Sequence, residues 1–118
     1  MATVYDIWQI EKQVWLKGPQ ESRDLVLPSA LILTPPQHAA QRFKDYVEAT
    51  TGVKPFTDVS FDDRVYSDHD GTTVIAYVAT AHHPEMEGDY RASCSTIYVD
   101  TPEGVKVLAH HQVPLGSD

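Results

Sequence analysis

The chain is short of positive charge. Nine Lys and Arg stand against seventeen Asp and Glu, a formal net charge of −8 over 118 residues. Nucleic acid and anionic membrane surfaces both demand a basic face, so neither is an expected partner. Cysteine is nearly absent: Cys94 stands alone, which excludes an internal disulfide framework and makes a reducing cytoplasm the simplest address. No apolar run approaches the length of a membrane span, and the opening MATVYDIWQIEKQ is charged too early for a signal peptide. There is no glycine-rich phosphate loop, dinucleotide fingerprint or G-x-S-x-G elbow, so nothing calls for a cofactor.

Two further signals fade on counting. His82-His83 and His110-His111 are adjacent in strand-like segments, so the members of each pair point to opposite faces. His82 and His110 share a face, but about four residues apart, roughly 13 Å at the usual rise, which is too far for one ion. The acidic run Asp58, Asp62, Asp63, Asp68 and Asp70 fails as a calcium loop, because counting back from Gly71 puts Tyr66 at the first ligand position. No metal is expected.

What is present is one domain, residues 1–118, with a helical first half and a strand-rich second half, the α+β pattern. Residues 3–17 predict an amphipathic helix capped by Thr3, with Val4, Ile7, Trp8, Ile10, Val14 and Trp15 on one arc and Glu11 unexpectedly in its middle. Gly18-Pro19 ends it, and Pro19 can open a short helix through Arg23. Leu25–Leu27 and Leu31–Leu33 read as two small strands around a turn at Pro28-Ser29. A helix from Thr34 to Gly52 follows, burying Ala39, Phe43, Tyr46 and Val47. From about Pro55 to Ser67 the period is two, with Val59, Phe61 and Val65 on one side. A turn at Asp68–Gly71 leads into three long strands from about Thr72, Asp89 and Gly104.

Parity sorts those three strands into two faces. With His83 opposite Asp89 and Val99 opposite Val105, one face gathers Tyr77, Arg91, Ser93, Ser95 and His111 among aliphatic residues. That is the pattern of a pocket floor, with Trp15 as an apolar wall and the helix bearing Glu11 as its cover. Glu11 would pair with Arg91 or His111. Such a pair is acid–base machinery in principle, though a partly buried ion pair is more often structural. The other face holds Val78, Thr80, Cys94, Thr96, Leu108 and His110, a patch suited to a symmetric homodimer. There Cys94 reads as a small buried hydrophobe.

Three stretches carry a resemblance: Ile10-Glu11-Lys12-Gln13-Val14-Trp15, then Tyr90-Arg91-Ala92-Ser93-Cys94-Ser95-Thr96-Ile97-Tyr98-Val99, and the close His110-His111-Gln112-Val113-Pro114-Leu115. Together with the element order, they resemble the uncharacterised SnoaL-like branch of the nuclear-transport-factor-2-like superfamily, which includes the ketosteroid-isomerase-like proteins. The resemblance implies a conical barrel, a curved and mainly antiparallel sheet wrapped around N-terminal helices. It also implies an internal pocket and a dimer through the sheet's outer face. Ketosteroid isomerases place a Tyr and carboxylic acids inside the cone. Here only Glu11 and Tyr77 could stand in, so that mechanism does not carry over residue by residue.

Three functions follow. The first is a non-enzymatic homodimer binding a small organic molecule, an anion where Arg91 supplies the countercharge, in a cavity of about 300 Å³ or more. The second is a cofactor-free isomerase, cyclase or dehydratase with Glu11 or His111 as acid or base. The third is a dimerisation module with a vestigial pocket. The sequence leaves enzyme and binder open.

Overall fold

The computed structural model describes residues 3–36 and 38–116. The first helix forms as expected: α1 spans Val4–Lys17. Thr3 Oγ1 accepts from the Asp6 amide at 3.2 Å, and the Asp6 carboxylate accepts from the Thr3 amide at 3.0 Å, a reciprocal cap. The Thr3 amide, and after it the Thr3 hydroxyl donating to the same carboxylate at 3.0 Å, hold the Asp6 carboxyl below the usual carboxylate range. The side chains α1 buries are Ile7, Glu11 and Trp15, each one turn beyond the last. Gly18 ends the helix at φ +80°, with a Cβ position only 3.2 Å from Pro55 Cβ, so a side chain would be crowded as well as strained.

The next segment departs from expectation. The short helix through Arg23 is a pair of turns, Ser22 amide to Pro19 carbonyl and Leu25 amide to Ser22 carbonyl. The Ser22 hydroxyl takes the Gly18 carbonyl at 2.7 Å and so competes with helix formation. The two small strands are one, β1 (Val26–Leu33), with its irregularity between Val26 and Leu31 where Pro28 falls. The long helix shrinks to α2 (Phe43–Ala49), preceded by the two-residue β2 (Gln41–Arg42). Pro36 explains the loss, because a residue followed by proline is driven out of helical backbone and Pro35 therefore cannot start a helix. Phe43 and Val47 are buried, Tyr46 packs beside them, and Ala39 is exposed. Gln37, within the expected helix, lies outside the described residues.

Four long strands follow: β3 (Asp58–His69), β4 (Thr72–His82), β5 (Tyr90–Thr101) and β6 (Gly104–Pro114). The sheet order is β2-β1-β6-β5-β4-β3, antiparallel throughout except for the parallel β1–β6 pair. The fold is α+β, a curved, mainly antiparallel sheet that stays open rather than closing into a barrel. The β3–β4 hairpin turns on Asp70-Gly71, both at positive φ, the backbone that a two-residue hairpin loop needs. A bulge at Asp63 (φ +53°) shifts the β3 register, so Val59 and Phe61 are buried while Val65 is exposed.

Three one-residue events rearrange the faces of the three C-terminal strands. The first is at the β4–β5 connection, where His83 does not pair with Asp89. It leaves the ladder, its Nε2 donating to the Lys54 carbonyl at 2.8 Å while its Nδ1 accepts from the Glu85 amide at 3.1 Å. The ring also stands edge-on to Phe56 at 5.5 Å. With that residue spent in the loop, Tyr77 pairs with Cys94 and Ile75 with Thr96, and β5 presents the opposite set of side chains inward. The second is at the β5–β6 turn, where Asp100 rather than Val99 lies opposite Val105, and Val99 pairs with Lys106. The third is a bulge in β6. Tyr98 pairs with Val107 but Ile97 pairs with Ala109, which leaves Leu108 as the extra residue. Val107 and His110 therefore both point inward; unbroken alternation would have sent His111 there instead.

Candidate functional site

The structure keeps Glu11, Trp15 and Tyr77 together inside the cone. Arg91, Ser93, Ser95 and His111 do share one face as expected, but it is the outer one. Arg91, Ser93 and His111 are exposed and Ser95 is half-buried. The pocket-floor assignment of those four is corrected by the three one-residue events above, and no Glu11–Arg91 or Glu11–His111 pair exists. The expected dimer-face residues divide. Val78 and Thr80 remain outward and half-buried, and Leu108 stands exposed at its bulge, whereas Cys94 and Thr96 are buried inside and His110 lines the interior.

Glu11 is 2% exposed and is the hub of the interior. Tyr98 donates to its Oε1 at 2.6 Å, Thr96 Oγ1 donates to Oε2 at 2.7 Å, and Tyr77 donates to Oε2 as well. Trp15 Nε1 donates in turn to the Tyr77 hydroxyl at 2.9 Å. Burial, reinforced by the Glu11 charge, pushes both tyrosines far above the ordinary phenol value, which keeps them as donors. Burial pushes the Cys94 thiol up to about 12, with the Glu11 charge as second cause. It is an inert core group.

A second chain of bonds runs from Thr96 to the other end of the interior. Thr96 Oγ1 lies 2.7 Å from His110 Nδ1, Gln112 Nε2 lies 2.9 Å from His110 Nε2, and Tyr90 donates to Gln112 Oε1 at 2.9 Å. One assignment satisfies every member. The Thr96 proton goes to Glu11, so His110 carries its proton on Nδ1 and gives it to Thr96, while Nε2 accepts from the Gln112 amide. The imidazole is then neutral. Its value is lowered, first by burial, with the Glu11 carboxylate 3.5 Å away pulling partly the other way and His111 adding to the lowering.

Beside this network opens a cleft of about 150 Å³. That is half the volume a typical ligand pocket was expected to need, but enough for roughly one six-membered ring. Trp15, Phe43, Tyr46, Phe56 and Val107 form apolar walls. Glu11, Thr96, His110 and Gln112 form a polar side, and the exposed Lys54 borders it. Phe56 stacks on Tyr90 at 5.8 Å and packs against Trp15 at 5.3 Å, so the aromatic wall is itself braced. A larger concavity of about 270 Å³ lies between the β3–β4 turn, with Asp68 and Asp70, and Ile7, Tyr98, Asp100 and Val105. Its carboxylates are exposed, and it brings no convergent network together, so the smaller cleft is the candidate site. Among the described residues no three His, Cys, Asp or Glu side chains come together as a metal cage.

His110, Thr96 and Gln112 were the residues sequence reasoning missed as cleft residues. The signal for the bulge at Leu108 is absent from the alternation itself. The buried role of His83 could have been suspected from the following Pro84, which cannot continue a ladder.

No family model matches the chain, and no curated protein matches it. Solved structures do. An NTF2-like protein of unknown function in nutrient uptake from Rhodospirillum rubrum superposes with a TM-score of 0.79 at 13% identity, covering 98% of this chain and 100% of that one. A candidate ketosteroid isomerase from Parabacteroides distasonis gives 0.78 at 13% identity, over 92% and 85%. The S. rosetta CaMKII hub gives 0.69 at 12% identity, over 95% and 93%. By its architecture the chain has the fold of the nuclear-transport-factor-2-like superfamily.

Proposed function

We propose that this chain is a homodimeric small-molecule binder of the cytoplasm, taking an organic molecule of about one ring in the cleft beside Glu11. The observation that carries the reading is the cleft's composition: braced aromatic walls together with a hydrogen-bonded Glu11–Thr96–His110–Gln112 array. A few convergent polar groups in a mostly apolar concavity are what fix a small ligand's orientation. Arg91, the residue that would have matched an anion, stands on the outer face, so the reading no longer specifies an anionic ligand.

The homodimer rests on the outer sheet face. Leu31, Val74, Leu108 and Val113 are exposed there, beside half-buried Val78 and Ile97. An apolar surface of this kind is what a second copy covers. The hub domain with this fold favours self-association as well. Titration of one-ring compounds followed through the Trp15 indole N–H resonance tests the binder. Saturable shifts at Trp15 are expected, and a flat response across the series would leave only a dimerisation module with a vestigial pocket.

One observation favours the enzyme reading: a neutral imidazole on the cleft wall, wired through Thr96 to a carboxylate, has the makings of a general base. In that reading the base is His110 rather than His111, and Glu11 is its positioning partner. Deuterium exchange into a carbonyl compound that binds the cleft, lost in His110→Gln, is the expected sign; exchange unchanged by that substitution rules the reading out.

A further inference from the structure

Glu11 presents an imbalance that its hydroxyl partners do not remove. Among the described residues, no Lys or Arg lies within ion-pair distance of its oxygens; the basic group nearby is His110, at 3.5 Å and held neutral by the bonding pattern above. A buried carboxylate without a countercharge is normally a costly arrangement. A carboxylate offers about four acceptor positions. Tyr77 and Thr96 take two on Oε2, and Tyr98 takes one on Oε1, which leaves one on Oε1 open. Glu11 is among the residues that line the cleft.

The cleft's other lining has the complementary property. Trp15, Phe43, Tyr46 and Phe56 line the same space, and the faces of aromatic rings attract cations. The chain as a whole, at −8, draws cations toward its surface. Among the described residues, the cation bordering the cleft, Lys54, is exposed, where solvent screens it far more than it screens Glu11.

We infer that the ligand class of this cleft is a small organic cation, a primary amine on about one ring, with its ammonium drawn to Glu11 and its ring among Trp15, Phe43 and Phe56. The inference rests on the small-molecule reading above and adds to it the sign of the ligand's charge.

Three compounds of one size and three charges test it: benzylamine, benzyl alcohol and benzoate. Each is titrated into the full chain by calorimetry at about 0.15 M salt, where surface attraction is largely screened, with the Trp15 indole resonance reporting that binding is in the cleft. Benzylamine is expected to bind at least about tenfold more tightly than benzyl alcohol, with benzoate weakest. In Glu11→Gln the preference for the amine should shrink to within about threefold while benzyl alcohol still binds. The wild-type ranking decides the matter if that variant does not fold. Equal binding of amine and alcohol, or tighter binding of benzoate, overturns the cation assignment and leaves the small-molecule reading intact. An amine that binds without moving the Trp15 resonance also overturns it. If none of the three moves Trp15, both fail together.

Discussion

The two faces of the same sheet are built on different terms. On the inner face the main polar side chains are partnered: Glu11 by three hydroxyls, Tyr77 by Trp15, and His110 by Thr96 and Gln112. On the outer face Arg91, Ser93 and His111 stand in solvent among exposed Val74, Leu108 and Val113. Adjacent residues of one strand, Ser95 and Thr96, belong to these two regimes. The lesson is that one position along a strand separates a group that can be removed at little cost from one whose partners would be stranded in the interior. Fold stability should therefore concentrate on the inner face and assembly on the outer.

The sharpest way to break that comparison is Glu11→Ala. It strands three buried hydroxyls and opens a void, and should cost about 3 kcal/mol or more in urea unfolding. A cost near that of an exposed substitution would mean the hub is dispensable. On the outer face, Val74→Glu with Val78→Glu should weaken self-association by about 100-fold, since charges would have to be desolvated in the dimer. Light scattering at micromolar concentration should then give the monomer mass, and a monomer already in the wild type would remove the assembly half of the contrast.

The neighbours Ser95 and Thr96 sharpen it further. Thr96→Val deprives both Glu11 and His110 of a partner and should cost about 1–3 kcal/mol, whereas Ser95→Ala should stay within about 0.5 kcal/mol. Equal effects would contradict the register that separates them.

The smallest expected effect is a slope with pH. His110 in the fold binds a proton less readily than the ordinary histidine value of 6.5, so on acidification the unfolded chain takes the proton first. Stability is full above that value and declines as pH falls below it, until the folded His110 itself protonates. The decline is at most about 1.4 kcal/mol per pH unit. Urea midpoints measured between about pH 8 and pH 5 should show it, and His110→Gln should flatten it.

Much of the candidate site could be read from residues alone, and the rest failed for a definable reason. The position of Glu11 within the apolar arc of its helix follows from the 3.6-residue period, and helix periodicity tolerates small errors because a helical face is broad. Tyr77 was placed inward by the alternation of β4 with Ile75 and Ala79, and it is there. Strand faces have no such tolerance. A single residue spent in the His83 loop, a one-residue shift at the β5–β6 turn and a single extra residue at Leu108 exchanged the floor of the cleft, so that Thr96 and His110 took the places expected for Ser95 and His111. The expected face grouped Tyr77 with Arg91, Ser93, Ser95 and His111; Tyr77 stays inside while the other four lie together on the outer face.

The sequence by itself determined the α+β class, the capped amphipathic first helix, the three long C-terminal strands and the presence of a carboxylate on a core-facing stripe. Those depend on local periodicity, caps and turn residues, which act over a few positions. Only the tertiary structure decided which histidine meets Glu11, which hydroxyls satisfy it and which face is left to solvent. Those outcomes depend on the registry between strands, and that registry is fixed by what a loop histidine can bond to across the fold, by where the β5–β6 turn closes and by where a bulge falls.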